Sequence, residues 1–255
     1  VQTCALPISA FLISAKPKHD PLPLAKMAEL AQSILPALGY DANAVAILST
    51  NDPDQLISGL RTMPTNKVAI EPATFLPLGA KRPVMMMALR EWRNVAPEKP
   101  GLIALPKGAP FGTVKVDVEG CTLCLACVSA CPTAALTANP ERPELRFQED
   151  LCVQCGLCQA TCPEKVITIA PQLDFERINA APVTLKSEEP YACDHCGKLF
   201  GTKSTIERIK SKLAGQHWMY AGQNADRAKL IGYCDDCRVE AMTNSGFDQI
   251  GRAHV

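Results

Sequence analysis

Eight of the chain's thirteen cysteines fall into two copies of one pattern. Residues 121–132 read CTLCLACVSACP and residues 152–163 read CVQCGLCQATCP, so C-x2-C-x2-C-x3-C-P occurs twice, 31 positions apart. Thiolates at this spacing are ligands for cubane iron–sulfur clusters. Three cysteines at intervals of three bring their sulfurs around one small loop, where each can reach a different iron. The fourth comes three residues further on, on a turn that points away, and so suits the neighbouring cluster. By that rule Cys121, Cys124, Cys127 and Cys162 hold one [4Fe-4S] cluster, and Cys152, Cys155, Cys158 and Cys131 hold the other. Pro132 and Pro163 lack an N–H and stop the turn just after the exchanged ligand. Gly156 lets the backbone approach its cluster without a side chain in the way. Leu123, Ala126, Val128, Leu157 and Ala160 supply small or apolar packing that keeps water off the sulfides. Two structural zinc sites or a disulfide framework are the competing readings; against zinc, an ion needs only four ligands and rarely takes a triple x2 spacing.

A second constellation lies near the C-terminus: Cys193-x2-Cys196 and Cys234-x2-Cys237, with 37 residues between the pairs. Two CxxC pairs flanking an insert are a tetrahedral four-cysteine signature, and zinc is the expected occupant. A further iron site and a redox thiol pair stay open; the latter needs a thioredoxin-type βαβ context that the flanks do not offer. Gly197, directly after the first pair in CDHCGK, fits a zinc-knuckle turn whose N–H groups face the thiolates. His195 is read as a neighbour of a complete Cys4 set.

The flanks of the first constellation repeat as well. Val114, Val116 and Val118 alternate before the first run, as Leu145 and Phe147 do before the second, with the period of half-buried strands. Residues 135–136 and 166–168 supply the return strands. Residues 113–172 thus resemble the two-cluster bacterial ferredoxins, over roughly a quarter of the chain and with all eight ligand positions matched. The resemblance implies a pseudo-twofold fold of β-hairpins and short helices. It also implies potentials toward the negative end of the roughly −700 to +450 mV that iron–sulfur centres span.

Upstream, residues 10–96 read as an α/β region. AFLISA from Ala10 is a strand, and residues 16–23 are a Pro-rich loop in which His19 is solvated. Residues 24–38 are an amphipathic helix with Met27, Leu30, Ala31, Ile34, Leu35 and Leu38 on one face, ended by Gly39. Residues 44–49 are a strand, and Asn51 and Asp52 cap a helix from Pro53 to about Met63. Residues 68–70 are a third strand and residues 83–95 a third helix, with residues 85–87, three methionines, as core. Residues 97–112, with four prolines and three glycines, read as a semi-rigid linker. Residues 113–172 are the ferredoxin module, 173–190 a polar connector and 191–249 the Cys4 module. The expected fold class is therefore α+β: a ferredoxin-type 2[4Fe-4S] module between an N-terminal α/β fragment and a small zinc-knuckle-like module. Within the last, residues 202–214 form a helix with Ile206, Ile209 and Leu213 inward, and Cys234 opens a helix through Met242. His217, Trp218 and Tyr220 make a small core. Lys198, Lys203, Arg208, Lys210 and Lys212 form a basic run, either a solvated face or a docking patch for an acidic surface, this chain's own ferredoxin module included.

Formal charge balances at zero, with 26 basic and 26 acidic residues, which argues against nucleic acid or an anionic membrane as partner. No apolar run approaches the ~20 residues of a spanning helix. Cysteines gathered in metal-type clusters point to a reducing cytoplasm. Residues 1–9 and 250–255 read as translated sequencing adapter: codons exist for residues 1–8 whose reverse complement encodes 250–255 followed by a stop. On that reading Cys4 and His254 are not native and the chain is a fragment.

Outside the cysteines there is no Gly-rich phosphate loop, H-E-x-x-H or G-x-S-x-G, and no acid–base pair. The expectation is an electron-transfer protein or subunit rather than an enzyme on its own, exchanging single electrons with a larger oxidoreductase such as a dehydrogenase or reductase. The order of α/β region, two-cluster module and Cys4 tail resembles multidomain bacterial ferredoxin-type proteins that accompany dehydrogenases. The alternative is a redox sensor or an assembly or accessory factor, in which the clusters report rather than conduct.

Overall fold

The computed structural model describes residues 3–5, 10–14, 22–62, 73–213 and 222–244. It is a mixed α+β chain that divides into two units. The first comprises Val1–Val114, Gln148–Gly156 and Ile169–Pro182; the second comprises Lys115–Phe147, Leu157–Thr168 and Val183–Val255. The expected strand at 68–70, His19, and the group His217, Trp218 and Tyr220 lie outside the described residues.

In the first unit, β1 (Thr3–Ala5) pairs antiparallel with β4 (Ala73–Phe75). β2 (Ala10–Ser14) and β3 (Val45–Ser49) pair in parallel, Ala10 opposite Val45, with α1 (Leu22–Ala37) between them in sequence. α1 stops as its sequence predicts. Gly39 takes φ +83, its N–H reaches Pro36 O at 3.0 Å, and the Tyr40 N–H reaches Leu35 O at 3.0 Å. These are the paired bonds of a glycine C-cap, and buried Leu35 and Tyr40 supply the apolar contact that accompanies it. α2 (Pro53–Arg61) begins at the expected cap, Asp52 Oδ1 accepting from the Asp54 N–H at 2.9 Å. α3 (Lys81–Val95) starts two residues earlier than expected and carries Arg82 in its first turn. Met86 is core, whereas Met85 is 37% exposed.

The core of this unit joins Ile34, Leu35 and Leu38 to Met86, Ile103, Phe111, Leu173 and Phe175. Residues 97–112 contribute to it although their composition reads as a linker. β5 (Leu102–Ala104) pairs antiparallel with β9 (Ile167–Asp174), Leu102 opposite Asp174, and Ile103, Ala109 and Phe111 are buried. All four prolines of the stretch fall outside the paired residues, so composition conceals the strand. The other neighbour of β9 is β6 (Gly112–Val116). β9 therefore runs well past the expected 166–168.

In the second unit, β7 (Leu136–Ala138), β8 (Glu144–Phe147) and β10 (Val183–Ser187) form an antiparallel sheet in the order β10-β8-β7. Leu136, Leu145 and Phe147 are its most buried side chains. β10 comes from the stretch expected as a polar connector; its pairing with β8 shifts register at a β-bulge between Thr184 and Lys186. Two short helices, α4 (Ala126–Ser129) and α5 (Leu157–Thr161), pack against each other. A hairpin of β11 (Pro190–Ala192) and β12 (Leu199–Thr202), then α6 (Lys203–Leu213) and α7 (Asp235–Asn244), complete the unit. α6 buries Ile206 but leaves Ile209 38% exposed. Among the described residues no helix is long and apolar enough to cross a membrane.

Candidate cluster sites and a four-cysteine centre

All eight cysteines of the repeat are free thiols, which sets the disulfide framework aside. Cys121, Cys124, Cys127 and Cys162 line one pocket, together with Leu123, Ala126, Leu145 and Ile167. The fourth cysteine of the second run thus sits with the first three of the first. α4 places Cys127, the α5 end places Cys162, and the packing of the two helices brings them to one side of the 121–125 loop. Of the other set, Cys131 and Cys158 belong to the second unit and Cys152 and Cys155 to the first. Burial repeats between the runs: the second cysteines, Cys124 and Cys155, are exposed, and the third, Cys127 and Cys158, are buried.

Backbone conformation repeats too. Leu123, Leu125 and Ala134 take φ of 52, 59 and 53, and their counterparts 31 positions on, Gln154, Gly156 and Lys165, take 55, 77 and 57. Five of the six are not glycine, each at roughly 1–2 kcal/mol of left-handed strain. Such turns gather successive N–H groups into an anion-binding concavity. The Leu123 N–H accordingly faces Cys121, opposing the rise that burial causes in its pKa. Gly156 is the one position where sequence advertises this conformation, and Leu125 shows that a side chain is tolerated there. Of the residues expected to shield the clusters, Leu123 is buried, whereas Leu157 is 46% exposed and Ala160 is exposed, because α5 turns only its Cys158 face inward.

Burial pushes the Cys127 thiol up to about 12, reinforced by Cys121, Cys124 and Cys158. Such a thiol gives up its proton only to a bound metal. Cys131 moves the other way. Burial raises it, but N–H groups of Leu136, Thr133 and Ala135 and the Thr133 hydroxyl, with Oγ1 3.8 Å from the sulfur, outweigh that and lower it.

The second constellation is tighter. Cys193, Cys196, Cys234 and Cys237 have their sulfurs all within 4.8 Å of one another, and Cys196 and Cys234 are 3.6 Å apart. Zinc–sulfur bonds near 2.3 Å give a tetrahedral edge of about 3.8 Å, so the group fits a single ion. Among the described residues no three of the eight repeat cysteines are this close. Gly197 takes φ +75, its N–H bonding Cys193 O at 3.0 Å, and the Cys234 N–H points at the Cys193 sulfur from 3.2 Å. Burial raises the Cys193 pKa, yet N–H groups from Cys196, Cys234 and His195 outweigh it and lower it. Cys237 is shifted up, first by its bonds to the other sulfurs. Four thiols this close can ionise together only around a cation. His195 packs at 5.5 Å against the Tyr233 ring.

Residues 120–166 match the family described as 4Fe-4S dicluster domain. This stretch is a 4Fe-4S dicluster domain. Nothing among curated proteins matches the chain. The domain implies two [4Fe-4S] clusters and an iron–sulfur electron-transfer role.

Sequence reasoning missed what holds the dicluster loops. The Thr122 carbonyl accepts from three hydroxyls at the start of α6: Thr202 at 3.2 Å, Ser204 at 3.1 Å, and Thr205. Lys186, 8% exposed, donates to Val118 O at 2.8 Å and to Cys121 O, and pairs with Glu188 at 2.6 Å. Glu188 in turn accepts from Ser204 Oγ at 2.7 Å. Around the second loop, Arg82 donates to Asp150 O at 2.6 Å, Pro110 O at 3.0 Å and Cys152 O, and Gln154 reaches the Cys152 sulfur at 3.4 Å. The basic run of α6 is paired rather than free: Arg208 and Lys212 both reach Glu164 of the dicluster domain, and Lys210 reaches Asp194 at 3.1 Å.

Proposed function

We propose that this chain is an electron-transfer protein or subunit that exchanges single electrons with a larger oxidoreductase through two [4Fe-4S] clusters. Cys121, Cys124, Cys127 and Cys162 hold one cluster; Cys152, Cys155, Cys158 and Cys131 hold the other. The clusters supply the one-electron couple, and the chain supplies ligands, shielding and fixed charge. The observation that carries the crossed assignment is the pocket in which Cys162 joins Cys121, Cys124 and Cys127. Exposed Cys124 and Cys155 mark where each cluster comes nearest the surface, the place for exchange with a dehydrogenase or reductase. Cys193, Cys196, Cys234 and Cys237 hold a structural zinc in a knuckle-like fold, supported by the compact sulfur set and the Gly197 turn. Oxygen- and disulfide-sensitive ligands of this kind suit a reducing cytoplasm.

The test is Cys162→Ala against Cys131→Ala in anaerobically reconstituted protein. Crossed ligation predicts that Cys162→Ala and Cys121→Ala leave the same residual cluster spectrum, and Cys131→Ala leaves the other. Residual spectra grouped by sequence run instead would overturn the assignment.

A further inference from the structure

The two cluster loops share a feature that comes from outside the dicluster domain. In each, a cation delivered by a distant element grips the carbonyl of the first cysteine and a second carbonyl just before it. Lys186, from the bulged strand β10, holds Cys121 O and Val118 O. Arg82, from the first turn of α3, holds Cys152 O and Asp150 O. The β10 bulge makes the first contact possible: it puts Lys186 rather than Leu185 opposite Leu145, which lines the pocket of Cys121.

We propose that Arg82 and Lys186 are potential-setting residues, one for each cluster. The inference rests on the two-cluster reading above. Reduction adds one negative charge to a cluster, so a fixed cation beside a ligand favours the reduced state, and removing it makes the potential more negative. Both cations are fixed. Lys186 places its ammonium on two carbonyls and the Glu188 carboxylate, using every donor it has. Arg82 is always charged, spreads its fork over three carbonyls and lies over the Phe111 ring at 5.3 Å. The grips also orient the loops. A trans peptide points its N–H opposite its C=O, so pinning a carbonyl fixes the direction of the N–H that follows it. The Leu123 N–H, which follows the pinned Thr122 carbonyl, is the one that faces the Cys121 sulfur.

The two networks differ in how the cation meets its acid. Glu188 pairs directly with Lys186, whereas the hydrogen bonds of Arg82 go to carbonyl oxygens and the Asp150 carboxylate acts on it only through space. Removal of Glu188's charge therefore has the opposite sign from removal of Lys186's.

Anaerobic redox titration of the full chain, with iron and sulfide counted for every variant, reads the two couples; their loss in Cys124→Ala and Cys155→Ala assigns them. Arg82→Gln is expected to lower the Cys155 couple by at least a tenfold change in its reduction equilibrium, 59 mV for one electron, and to leave the Cys124 couple in place. Arg82→Lys, which keeps the charge, holds the Cys155 couple near its native value. Lys186→Met lowers the Cys124 couple, and Glu188→Gln raises it. A purely structural role would not give opposite signs within one network. Should Lys186→Met fail to fold, Glu188→Gln and Arg82→Gln carry the test. Unmoved couples in fully loaded Glu188→Gln and Arg82→Gln protein would overturn the inference. Native protein that never loads two clusters would overturn the two-cluster reading instead.

Discussion

The dicluster domain and the four-cysteine centre start from the same C-x2-C unit and reach different geometries. In the centre, two pairs converge until all four sulfurs lie within 4.8 Å, and the nearest backbone N–H groups come from the turns of the pairs themselves. In the domain, a third cysteine follows at the same interval, and the fourth cysteine lining the Cys121 pocket comes from the other copy. The difference shows how much one added cysteine decides. Two pairs can close on one ion, whereas three cysteines in a row spread around a loop and leave room for a larger inorganic core. A second contrast is in support. The centre's turns supply their own N–H groups to sulfur, with Lys210 of α6 pairing only with the Asp194 carboxylate, while the carbonyls of the domain's loops are clasped by Lys186, Arg82 and the hydroxyls of α6.

Four substitutions break or sharpen that contrast. On the zinc reading proposed above, the largest effect is expected at the centre, since apparent binding of structural zinc is worth about 10–16 kcal/mol. Cys234→Ser should abolish the bound metal and open residues 190–244 to proteolysis, with the iron of the dicluster domain retained; protease mapping and metal analysis check both. Next, Cys162→Ala should cut iron and sulfide to about half while sparing the cluster of Cys152, Cys155 and Cys158, as chemical analysis and EPR would register. Gly112→Ala comes third. A Cβ there would stand 2.3 Å from Ala170 O and 2.6 Å from Gln154 Cδ, displacing the side chain that reaches the Cys152 sulfur. Denaturant melts should show roughly 1–3 kcal/mol of lost stability. The smallest effect is Arg208→Ala: the arginine side chain is 41% exposed, and breaking its pair with Glu164 should cost about 0–1 kcal/mol, less at high salt.

Ligand chemistry was legible because it is written in local spacing. The ends of α1 and α2 were legible for the same reason: Gly39 and Asp52 act within a turn of where they stand. What stayed hidden depends on distant partners. Lys186 meets Cys121 across 65 positions, and Arg82 meets Cys152 across 70, and neither residue type signals such a contact. The strands at Leu102–Ala104 and Val183–Ser187 were hidden, one by surrounding prolines and the other by being five residues long within a polar stretch. The basic run from Lys198 to Lys212 reads from sequence either as a solvated face or as a patch for the dicluster domain. Its pairing with Glu164 became visible only through the fold.

The most direct test of the contrast is the iron, sulfide and zinc content of anaerobically prepared protein. Two clusters in the domain and one ion in the centre predict about eight iron, eight sulfide and one zinc per chain. Iron and sulfide well short of eight, or extra iron with no zinc, would contradict the division of labour between the two sets of cysteines.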